Sequence, residues 1–80
     1  MGPPPPFVRK YIGYFGPSHL RVAAFRRQGD EPDTIKIDVG IEGEVLDDAF
    51  IIREIGLESV IIGFVGYDVS EDTRVPLADD

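Results

Sequence analysis

From residue 7 onward the chain reads as short runs of Val, Ile, Phe and Tyr broken by Gly, Pro and Asp, the pattern of strands joined by turns. Strands are predicted over residues 7–15, 19–27, 34–38, 50–55, 59–67 and 73–77. Gly16-Pro17-Ser18 predicts a tight reversal between the first two, because Gly adopts positive φ freely and Pro presets its own. Residues 28–33 (QGDEPD) read as a longer polar turn, Gly56-Leu57-Glu58 as the loop of another hairpin, and residues 68–72 (DVSED) as the turn after it.

Side chains alternate between the two faces of a strand, so alternation predicts the core. In the second run Leu20, Val22 and Ala24 form the expected core face against Arg21 and Ala23, and Phe25 breaks the alternation and marks a bulge. In the fourth run Phe50, Ile52 and Ile55 compete with Ile51; in the fifth Val60, Ile62 and Phe64 share the strand with Ile61, Gly63 and Val65. These two runs are expected to be the most buried. Helix competes only over residues 45–55 (VLDDAFIIREI), with Asp47 as a cap, but the β-branched pair Ile51-Ile52 and the stop at Gly56 favour a strand. The expected fold is therefore all-β: six or seven short antiparallel strands in two small packed sheets or a partly open barrel, with open edges available to partners.

Eighty residues at 42% hydrophobic make one domain near the lower size for a self-sufficient core, and with no cysteine that core must hold by packing alone. Residues 7–77 are assigned to it. Met1-Gly2 followed by Pro3, Pro4, Pro5 and Pro6 reads as the end of a stiff spacer or as an expression start joined to a fragment, and residues 78–80 as an acidic tail. No apolar run reaches the roughly 18 residues that span a bilayer, so no direct membrane contact by this fragment is expected. Charge is unevenly placed on a chain of net −7. Up to Gly29 there are five cations (Arg9, Lys10, Arg21, Arg26, Arg27) and no acid, whereas the remainder holds all 15 acids with Lys36, Arg53 and Arg74. Such a split either orients a partner electrostatically or pairs a basic strand with an acidic one inside the fold.

Chemistry-bearing constellations are weak. His19 is the single histidine, and Ser18, Ser59 and Ser70 sit in no nucleophile motif. The acid pairs Asp30-Glu31, Asp47-Asp48, Glu71-Asp72 and Asp79-Asp80 fall in turns or at the terminus and lack calcium-loop spacing. Gly13 and Gly16 precede no helix, and Gly40 and Gly43 are followed by acids that would repel phosphate. Arg21, Arg26 and Arg27 with Tyr11, Tyr14 and Phe25 could form a basic aromatic strand, but the overall acidity opposes phosphate binding. The expectation is a non-enzymatic interaction domain with no cofactor, no metal and no nucleic-acid partner.

The order of the phrases carries a resemblance. A proline spacer is followed by Tyr11-Ile12-Gly13-Tyr14-Phe15-Gly16, Arg21-Val22-Ala23-Ala24-Phe25, Asp38-Val39-Gly40, Gly43-Glu44-Val45, Phe50-Ile51-Ile52-Arg53-Glu54-Ile55, Val60-Ile61-Ile62-Gly63 and Val75-Pro76-Leu77. This resembles the homology-region domain of the type II secretion inner-membrane component C and the related type IV pilus lipoprotein PilP. The stretch 35–45 departs from it, being longer and more acidic than that family's turn. The resemblance implies a periplasmic scaffold domain, tethered to the inner membrane in the full-length protein. It would bind the N-terminal periplasmic domain of an outer-membrane secretin and neighbouring inner-membrane assembly proteins. Carried onto this chain, the contact residues are Tyr11, Ile12, Gly13 and Tyr14 on the first strand, with Arg21 at the start of the second. The alternative is a free-standing β-barrel binding a peptide or nucleic acid, for which a sharply basic groove is the discriminating feature.

Overall fold

In the computed structural model, which describes residues 2–78, the chain forms seven strands in two antiparallel sheets that do not close into a barrel. The first sheet orders β1 (Lys10–Phe15), β2 (Val22–Gln28) and β3 (Ile35–Ile41). The second orders β4 (Val45–Leu46), β5 (Phe50–Ile55), β6 (Ser59–Phe64) and β7 (Thr73–Pro76), with a 3-10 turn at Val69–Glu71 before the last strand. Asp79 and Asp80 of the expected tail lie outside the described residues, and Ala78 is docked on the fold through its N–H to the Tyr11 carbonyl at 2.7 Å.

The segment in which helix competed forms a hairpin. Asp47 and Asp48 sit at φ 53° and 54°, and Ala49 N–H donates to Leu46 O at 3.0 Å. Two successive positive φ angles give the turn whose twist matches paired strands, and Asp is one of the few residues that tolerates them. Asp47 is thus a turn residue and not a helix cap. The reversal between β1 and β2 is longer than expected, spanning residues 16–21, with Leu20 N–H donating to Pro17 O. The third strand extends to Ile41, beyond the expected end at Asp38.

The core lies between the sheets. Phe50, Ile52 and Ile55 of β5 and Val60, Ile62 and Phe64 of β6 are buried as expected, and Tyr11, Ala23 and Phe25 meet them from the first sheet. The inward face of β2 is therefore the opposite of the one anticipated. Ala23 and Phe25 point in, Val22 and Ala24 point out, and Leu20 is exposed before the strand begins. Phe25 does not mark a bulge, since β2 pairs with β3 without a break. The irregularities fall instead between Tyr11 and Gly13 and between Ile52 and Glu54. Phe7, ahead of β1, packs edge-on against Phe25 and Phe50 at 5.5 and 5.1 Å and so bridges the sheets. Each fully buried side chain of this size contributes about 1.5–3 kcal/mol, which makes these few residues the bulk of the stabilising term. The sheets come close at Gly40, where an added Cβ would lie within 2.7 Å of Ile52 Cδ1.

Candidate functional site

The residues assigned to the partner surface separate into two environments. Tyr11 is 0% exposed, its ring tilted against Phe25 in the core and its hydroxyl donating to Gly56 O at 2.9 Å. Burial, followed by the nearby Tyr14, pushes the Tyr11 phenol above its ordinary pKa, against the opposing charge of Arg21. The Tyr11 side chain is therefore a core anchor with no exposed surface of its own. Ile12 and Tyr14 are 39% and 38% exposed. Gly13 takes φ +140° in the bulge, a backbone state that side chains rarely adopt. Arg21 lies over the Tyr14 ring at 5.2 Å and donates from Nη1 to Ile55 O at 3.0 Å. The structure thus joins Tyr14 to Arg21 at the margin of the core in which Tyr11 is buried.

A larger surface was not anticipated. Residues directly opposite on paired strands share a face, so the outer side of the first sheet carries three rows. Phe15 lies beside Val22 and Ile41, Gly13 beside Ala24 and Val39, and Lys10 beside Arg26 and Ile37, with Gln28 and Ile35 at the end. Every β3 residue on this side is apolar and exposed: Ile35 65%, Ile37 53%, Val39 50% and Ile41 39%. No acid occupies any of these strand positions, although the chain is net −7. A shallow groove of ≈490 Å³ runs across the basic end, lined among others by Val8, Lys10, Arg26, Gln28, Asp33 and Ile35.

The inner side of β3 is polar and fastened down. Asp38 accepts from Arg9 Nε and from Arg27 Nε, both at 2.9 Å. Arg9 is buried, also pairs with Asp47, and lies between the Phe7 and Phe50 rings at 5.9 and 5.8 Å. Burial alone would lower its pKa, and the hydrogen bonds it donates to Asp47 and Asp38 outweigh that and raise it. The hydrogen bond from Arg9 likewise holds the Asp38 carboxyl below its usual range, against partial burial and with help from Arg27. The alternating Ile35, Ile37 and Val39 therefore face outward because Lys36, Asp38 and Gly40 are committed to the other side. Arg9 carried no site role in the sequence because its partners are 29 and 38 residues away.

A second cleft of ≈180 Å³ gathers Ser18, His19, Arg21 and Glu42. Glu42 Oε2 accepts from the Ile55 N–H at 2.8 Å, which directs this carboxylate to the backbone. Among the described residues no group of three or more His, Cys, Asp or Glu is placed to hold a metal ion. No protein-family model matches the chain, and no curated protein or solved structure matches it either.

Proposed function

We propose that this chain is a non-catalytic protein-interaction domain that docks its partner on the outer side of the β1–β3 sheet. The observation that carries this reading is the row of exposed apolar side chains on β3, continued by Val22, Ala24 and Phe15 and bordered by Lys10 and Arg26. A contiguous apolar patch of this kind is the usual mark of a contact surface. The cations at its border, on a chain otherwise rich in acids, favour a partner presenting apolar groups within an acidic rim. Within the scaffold setting implied by the sequence resemblance, that partner is the N-terminal periplasmic domain of an outer-membrane secretin. Tyr14, opposite the inward-facing Ala23, and Arg21, bonded to Ile55 O, lie on the other side of this sheet and outside that contact.

Calorimetric titration against the purified N-terminal domain of a secretin encoded beside this chain's gene tests the reading. Micromolar binding that Val39→Glu abolishes and Phe15→Glu weakens supports it, with the fold kept in both variants. Binding that survives Val39→Glu, or no binding at all, overturns it.

A further inference from the structure

We propose that two copies of this chain associate by antiparallel pairing of β3 with β3, about a two-fold axis through Ile37. Gly29 N–H donates to Thr34 O at 2.9 Å at one end of the β2–β3 ladder. At the other end Ile41 N–H donates to Glu44 Oε1, and Ile41 O accepts from Glu44 N–H, both at 3.1 Å. Backbone groups alternate in direction along a strand. Lys36, Asp38 and Gly40 therefore aim theirs at β2, and Ile35, Ile37 and Val39 aim theirs at the outer edge of the sheet. Ile41 also points outward but is occupied by Glu44. Among the described residues the open groups are thus centred on Ile37, and pairing about that residue joins Ile37 to its mate and Ile35 to Val39 in both directions.

The side chains select the same register. On the outer face it sets Ile35 opposite Val39 and Ile37 opposite Ile37; on the inner face it sets Lys36 opposite Asp38 of the second copy, twice by symmetry. Lys36 holds only the exposed Asp30 at 3.0 Å, a pair of little net strength that exchange would not oppose. A generic apolar strand would offer Lys36 no acid, so the pattern IKIDV favours its own copy over other strands. A two-fold contact is closed, which gives a dimer and not a fibre. The apolar outer faces of the two copies remain open in the resulting continuous sheet, so this association leaves them accessible to the partner docking proposed above.

Sedimentation equilibrium of the 80-residue chain from low micromolar to millimolar concentration tests the pairing. A monomer–dimer equilibrium is expected. Ile37→Pro should abolish it while leaving the circular dichroism spectrum and the melt of the monomer intact, because the amide that proline removes points away from β2. Lys36→Asp, which opposes like charges at both crossings, should raise the dissociation constant about tenfold. A monomer at every concentration overturns the proposal. So does a dimer that survives Ile37→Pro and dissolves on Phe15→Glu, which would place the contact on the sheet face and not on its edge.

Discussion

The two outer strands of one sheet, β1 and β3, are finished in opposite ways. The β1 edge is interrupted by the bulge at Ile12 and Gly13 and is covered at Tyr11, where Leu77 bridges in parallel and Ala78 donates its N–H to the Tyr11 carbonyl. The β3 edge has an unbroken register over seven residues. In the second sheet the edge strands are short, β4 having two residues and β7 ending on Pro76. Three of the four described edges therefore carry a device that discourages strand addition, and β3 carries only its inward charges. A chain this small can leave one edge open because Arg9, Asp38 and Gly40 fix β3 to the core from its inner side, independently of what lies beyond it.

The largest expected effect comes from removing what both edges share. Phe25→Ala, at the centre of β2, should cost about 3–5 kcal/mol in urea unfolding and leave a small domain barely folded. Next, Arg9→Ala detaches β3 from beneath. Asp38 keeps Arg27 and Asp47 is largely exposed, so the cost should be about 1–3 kcal/mol, below that of breaking a fully buried pair. The same variant carries a pH signature. The Asp38 carboxyl is held low in the fold, so its stabilisation is fully present above its unfolded value near about pH 4 and is lost as pH falls through the lower folded value. Arg9→Ala should shrink that acid loss, as read from urea midpoints between neutral pH and pH ~3.

Opening the covered edge sharpens the contrast from the other side. Ending the chain after Pro76 removes the Leu77 N–H bond to Glu58 O and the Ala78 N–H bond to Tyr11 O, for an expected loss of about 1–2 kcal/mol in thermal or urea unfolding. The smallest effect is expected on the open edge itself. Ile37→Pro should change monomer stability by no more than about 0.5 kcal/mol.

Local signals carried much of the fold. The β5 bounds fall at Phe50 and Ile55 as the run of β-branched residues and the stop at Gly56 indicate, and Gly56 N–H closes the next turn on Ser59 O. The face of β2 was misread because Val22 and Ala24 are as apolar as Ala23. Phe25, which has the volume to fill the space between the sheets, decides the matter, and an apolar set on the outside is compatible with the one-way nature of the burial rule. Tyr11 and Tyr14 are indistinguishable by composition. The bulge between them puts both on the inward side, opposite Phe25 and Ala23, with Tyr11 in the core and Tyr14 at its margin beside Arg21. The alternation of Ile35 and Ile37 with Lys36 and Asp38 reads as a strand, whereas its continuation through Val39 does not. Which side it buries depends on Arg9 and Asp47, partners that no local window contains.

Amide hydrogen exchange on the dilute monomer, residue by residue along β3, tests the contrast between the edges most directly. The account predicts slow exchange at Lys36, Asp38 and Gly40, whose N–H groups face β2, and fast exchange at Ile35, Ile37 and Val39, which becomes slow as concentration rises. Uniform protection along β3 in the dilute chain would show that its outer edge is already covered and would contradict the account.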